Sequence, residues 1–76
     1  MQQILMPNLG QTVEEIYIQE WLVKVGDRVE LGQPLCIVET DKAQLDVESV
    51  AEGTLVRIAE QAGATVEVGQ LIAEIE

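Results

Sequence analysis

The chain has 76 residues, with fourteen Asp and Glu against four Lys and Arg, no His, and a net charge of −10. So short a chain is one domain, spanning residues 1–76, that buries roughly 60% of the surface its unfolded form exposes, which leaves little space for a deep catalytic cleft. The negative charge opposes nucleic acid and anionic membrane surfaces as partners, since both require Lys and Arg to neutralise phosphate.

The opening segment "MQQILMPNLG" has no basic leader followed by a long apolar run, and no window of the chain approaches 18 apolar residues. Neither secretion nor membrane insertion is indicated, so the expected location is cytoplasmic, or the mitochondrial matrix if a leader has been removed. "EIYIQEWLV" (15–23) is short and rich in β-branched and aromatic residues, as a strand requires, and it holds Tyr17 and Trp21, the only aromatic residues of the chain. The core must therefore be aliphatic. "VGDRVELGQPL" (25–35) places Gly26 and Gly32 around Val-Glu, which suits two tight turns flanking a short strand.

"PLCIVE" (34–39) is a short apolar run whose two faces look alike. Cys36 is the single cysteine, so it has no internal disulfide partner, and without a His to activate it the residue reads as a core thiol in a reducing compartment. After Asp41 and Lys42, "AQLDVES" (43–49) alternates Ala43, Leu45 and Val47 with Gln44, Asp46 and Glu48, the period-2 pattern of a half-buried strand. "GTLVRIAE" (53–60) is a further strand opened by Gly53, and "AGATVEVGQLI" (62–72) repeats the two-glycine pattern with Gly63 and Gly69. Gly26, Gly32, Gly53, Gly63 and Gly69 are assigned to backbone turns, since none belongs to a phosphate-binding loop followed by a helix.

The last two segments expose an internal repeat. Residues 13–39 lie without gaps on residues 50–76, with identities at Val13/Val50, Glu15/Glu52, Gly26/Gly63, Val29/Val66, Glu30/Glu67, Gly32/Gly69, Gln33/Gln70 and Glu39/Glu76. Two copies of one supersecondary unit, each supplying about four strands, are expected to pack on each other. The repeat also resolves the two faces of "PLCIVE": Cys36 and Val38 correspond to Ala73 and Ile75, whereas Ile37 corresponds to Glu74. Cys36 and Val38 are therefore predicted inward and Ile37 toward solvent, in an all-β fold of two four-stranded antiparallel sheets closed as a flattened barrel or sandwich.

Asp41 and Lys42 fall at the turn between the last strand of the first copy and the alternating strand. Two-residue hairpin turns favour Asn-Gly or Asp-Gly, because a positive φ is then inexpensive, and lysine is not the residue that turn propensity selects. In a two-fold arrangement the counterpart of this tip is where the chain begins and ends, so Lys42 is expected at the end opposite the termini. Taken locally, Lys42 is a solvated charge beside Asp41 and Glu39.

The segment "ETDKA", with Glu39, Thr40, Asp41, Lys42 and Ala43, gives the lysine a second meaning. Together with "MPNLGQTVEE", "VGDRVELGQPL" and "VAEGTLVRI" it resembles, over essentially the whole chain, the lipoyl domains of acyltransferase components of 2-oxo acid dehydrogenase complexes. The resemblance implies a barrel-sandwich hybrid with quasi two-fold symmetry, and covalent attachment of lipoic acid to Lys42 by a lipoate-attaching enzyme. It implies a swinging arm that moves acyl groups and reducing equivalents between a thiamine-diphosphate-dependent dehydrogenase, the acyltransferase core and a dihydrolipoyl dehydrogenase. It further implies a monomeric isolated domain in which Glu39, Thr40, Asp41 and Ala43 serve recognition, with no metal site. The first copy departs from the family's pattern at Ile16, which stands where the second copy has Gly53. Biotin carrier domains, the cousins of this family, flank their lysine with methionines, whereas Asp41 and Ala43 flank Lys42. A biotin carrier and an unmodified acidic β-sandwich that docks on a basic partner are the alternative readings.

Overall fold

The computed structural model describes residues 1–8 and 15–76. Val13, one member of the repeat identities, and part of the "MPNLGQTVEE" segment lie outside the described residues. Among these residues eight strands run in chain order: β1 (Gln2–Leu5), β2 (Ile16–Trp21), β3 (Arg28–Val29), β4 (Pro34–Glu39), β5 (Gln44–Glu48), β6 (Gly53–Ile58), β7 (Thr65–Val66) and β8 (Leu71–Ile75). They form two four-stranded antiparallel sheets, ordered β1-β8-β6-β3 and β5-β4-β2-β7. Exchanging β1 with β5, β2 with β6, β3 with β7 and β4 with β8 turns one order into the other, which is the two-fold relation announced by the repeat.

The copies do more than pack against each other. β3 of the first copy pairs with β6 of the second, and β7 of the second pairs with β2 of the first. Each copy thus lends its short bridge strand to the other's sheet. The seams are matched hydrogen bonds: Gly26 N donates to Leu55 O (2.7 Å) and Leu55 N to Asp27 O (2.9 Å), while Gly63 N donates to Ile18 O (2.8 Å) and Ile18 N to Ala64 O (2.9 Å). The repeated glutamines have a defined task there. Gln33 Oε1 accepts from Glu30 N at 2.9 Å and Gln70 Oε1 from Glu67 N at 3.1 Å, closing the glycine turn in each copy.

Between the sheets lie Ile4, Met6, Ile16, Ile18, Val29, Leu35, Cys36, Val38, Val47, Leu55, Val66, Ile72, Ala73 and Ile75, all at or near zero exposure. Each large aliphatic side chain of this kind contributes about 1.5–3 kcal/mol by leaving water. Among the described residues the ion pairs, Arg28 with Glu30 and Glu52 and Arg57 with Glu74, lie at the surface, where such pairs contribute roughly 0–1 kcal/mol. Aliphatic burial therefore holds the sheets together.

Cys36 and Val38 point inward as expected, and Ile37 is half-buried. Leu35 is also fully buried beside Cys36, which simple alternation forbids. The cause is a register shift between Pro34 and Cys36 against β5, matched by one between Ile4 and Leu5 on β1 that leaves Ile72 as the extra residue of β8. An extra residue in one strand lets two consecutive side chains face the core. A second pair of shifts falls at Gln19 in β2 and Val56 in β6, again 37 residues apart.

Gly53 is a correction to the turn assignment. It belongs to strand β6 with φ +149°, whereas Gly26, Gly32, Gly63 and Gly69 lie in connections between strands, also with positive φ. A Cβ at Gly53 would run into the Glu76 carbonyl oxygen and lie 2.9 Å from Ile75 Cγ2. At the equivalent position Ile16 has no positive φ and is fully enclosed, so the two copies differ in backbone and in packing at this point.

Candidate functional site

β4 and β5 end in the rung Glu39–Gln44, and the residues beyond it, Thr40 to Ala43, form the hairpin tip. β4 is a central strand, paired with β5 on one side and β2 on the other, so the tip grows from an anchored root. Tyr17 of β2 faces Glu39 across that root, and Gln44 Nε2 donates to Gln19 Oε1 at 2.6 Å, tying the edge strand to β2 over the top of β4.

Within the tip, Thr40 N donates to Ala43 O at 2.8 Å. The Thr40 hydroxyl accepts from Lys42 N (3.2 Å) and Ala43 N (3.1 Å) and donates to Ala43 O (3.2 Å). Among the described residues no residue other than glycine has a positive φ, so Asp41 and Lys42 do not adopt the mirror-image turn that would call for glycine. Turn propensity misjudged lysine here because a side-chain acceptor, rather than a left-handed backbone, closes the loop.

Asp41, Lys42 and Glu39 are exposed and Ala43 is half-buried, while Thr40 retains only 9% of its surface. Of the residues expected to serve recognition, Thr40 is therefore turned inward with its hydroxyl committed to the loop. Among the described residues Lys42 makes no ion pair. The strands of its sheet carry Glu20, Glu39, Asp46 and Glu48 and no Lys or Arg, whereas both arginines lie on the opposite sheet, on β3 and β6. Among the described residues no group of three or more His, Cys, Asp or Glu could hold a metal ion.

The arrangement presents one exposed primary amine on a braced support. An exposed amine can form an amide with an acyl group brought by another protein. The sequence matches over residues 2–75 the biotin/lipoyl family, described as biotin-requiring enzyme. The chain belongs to this biotin/lipoyl family. It is 47% identical over 73 residues, 95% of its length, to the dihydrolipoyllysine-residue acetyltransferase component 2 of the mitochondrial pyruvate dehydrogenase complex of Arabidopsis thaliana. It is 40% identical over all 76 residues to the lipoamide acyltransferase component of the branched-chain alpha-keto acid dehydrogenase complex of Bacillus subtilis. The chain spans 14% and 18% of the lengths of these two relatives. Among solved structures, the lipoyl domain of the 2-oxoglutarate dehydrogenase complex from Azotobacter vinelandii matches with a TM-score of 0.76 and 26% identity, over 97% of this chain and 94% of that one. The biotin/lipoyl fold therefore accounts for both sheets.

Sequence reasoning expected Lys42 at an exposed hairpin tip, where it lies, and missed the contacts that hold the loop. Thr40 carried a local signal, a hydroxyl residue two and three positions before the N–H groups it accepts from. The Gln44–Gln19 bridge carried none, because the partners are 25 residues apart and meet only through the order of the strands.

Proposed function

We propose that the chain is a swinging-arm carrier domain, lipoylated on Lys42, that shuttles acyl groups and reducing equivalents among the components of a 2-oxo acid dehydrogenase complex. The observation that carries this reading is the exposed amine of Lys42 at the tip of a braced hairpin within an unaltered "ETDKA". Exposure alone does not single it out, since Lys24 is exposed too. Lys24, however, sits in the turn after β2, where its N–H is held by Asp27 Oδ2 at 2.9 Å and no hairpin lifts it from the body.

Lys42 supplies the nucleophile for loading. Its nitrogen attacks the carboxyl carbon of an activated lipoyl donor, an amide bond forms, the activating group leaves with its bonding pair, and the nitrogen gives up a proton. The bound lipoyl group supplies a dithiolane able to accept an acyl group and two electrons. The protein's own contribution is presentation, and the tether keeps that chemistry at high effective concentration near each active site. The names of the relatives favour lipoate over biotin, as does the Asp41–Lys42–Ala43 setting.

Intact mass after incubation with an activated lipoyl donor and a lipoate-attaching enzyme tests the reading. One lipoyl increment is expected, retained by Lys24→Arg and absent from Lys42→Arg. An increment surviving in Lys42→Arg, or a biotinyl mass instead, would overturn it. Loss of one ammonium charge should also carry the net charge from −10 to −11, seen as earlier migration toward the anode on a native gel.

A further inference from the structure

We infer that Thr40 is a positioning residue whose hydroxyl fixes the pose in which Lys42 meets the attaching enzyme, an inference that rests on the carrier reading above. A threonine hydroxyl has one proton to donate and two lone pairs. All three are used inside the tip: the lone pairs by Lys42 N and Ala43 N, the proton by Ala43 O. Nothing remains for a partner, and at 9% exposure a partner would have little access. Thr40 therefore acts through the backbone of Lys42 and not by touching substrate.

The hydroxyl does what a left-handed glycine does in other two-residue hairpins. It takes the Ala43 N–H, so the loop closes with Asp41 and Lys42 both at negative φ. It also takes the N–H of Lys42 itself, which fixes the peptide plane from which the lysine side chain departs. Without it the two N–H groups turn to water, and the loop samples other closures. The attaching enzyme then finds the productive pose in only a fraction of molecules. A reduced competent fraction weakens apparent affinity by that fraction and leaves the bound complex unchanged.

Three variants of the whole chain separate this from a plain loss of structure. Thr40→Val keeps the shape and removes the hydroxyl; Thr40→Ser keeps the hydroxyl and removes the methyl; Lys24→Arg is a neutral control. Loading is followed with a lipoate-attaching enzyme and its activated lipoyl donor, and far-UV circular dichroism checks the fold. Thr40→Val should raise the KM for the domain roughly tenfold, the scale of one to two net hydrogen bonds, with kcat nearly unchanged. Thr40→Ser should restore the wild-type KM. Amide hydrogen exchange should quicken at Lys42 and Ala43 in Thr40→Val and stay slow at Val38 and Val47. Should Thr40→Val not fold, Thr40→Ala is measured in its place.

Wild-type KM in the hydroxyl-free variant, a defect that Thr40→Ser fails to rescue, or a defect in kcat alone would each overturn the proposal. A wild-type chain that is never loaded would instead refute the carrier reading and take the presentation role with it.

Discussion

The thiol of Cys36 is enclosed between the sheets, and burial, aided by the carboxylate of Asp46, pushes its pKa from 9.0 up to about 11. Below pH 9 the thiol keeps its proton whether the chain is folded or not, and it adds no pH dependence. Between pH 9 and about 11 the unfolded thiol ionises and the folded one does not, so the unfolded state gains. Stability should then fall by roughly 1.4 kcal/mol per pH unit across that window. Urea midpoints of the wild type and of Cys36→Ala, which copies the residue at the equivalent position 73, should run parallel up to pH 9 and diverge above it. Cys36 and Lys42 show what a sequence reveals at this scale. That the thiol is a core residue and that the amine is exposed both follow from the neighbouring residues. The service of Thr40 to the loop depends on where three backbone atoms lie after the chain has turned, and composition does not encode that.

At the scale of the strand, quasi-equivalent positions make opposite demands. Alanine at Gly53 meets the Glu76 carbonyl and a strained φ of +149°, and should cost about 1–3 kcal/mol. Glycine at Ile16 vacates a fully buried site and should cost at least about 3 kcal/mol, from lost burial and added backbone freedom. Chemical denaturation of the two single variants checks both values. The departure of Ile16 from the family's pattern thus fills one corner of the core, next to Tyr17, which faces Glu39 at the root of the lysine hairpin. The strands themselves were legible, because β-branched runs and alternation belong to a strand's own residues. The extra residues at Gln19, Leu35, Val56 and Ile72 were not. A bulge is a mismatch between two strands, and "PLCIVE" reads the same whether its partner is in step or one residue out.

In the molecule as a whole, the exchange of β3 and β7 leaves neither copy with a complete sheet of its own. The repeat implied two units packed together; the strands form two units interlocked, a distinction that requires knowing which edges pair. Trp21 records the interlocking, since its indole N–H from the first copy donates to Glu60 O of the second at 2.8 Å. Unfolding should therefore be a single transition, with Trp21 fluorescence and far-UV circular dichroism sharing one midpoint in urea. Separate midpoints would mean that the copies open independently. The pairing of β1 with β8 carries a consequence for biosynthesis. Gln2 lies opposite Ile75, so the first strand of this domain waits for its last before it has a partner. The sheet opposite the lysine hairpin is therefore complete only after translation has passed Ile75, well after the hairpin itself has been made. A chain cut short of β8 would carry the whole of "ETDKA" on a sandwich that lacks a central strand of its second sheet.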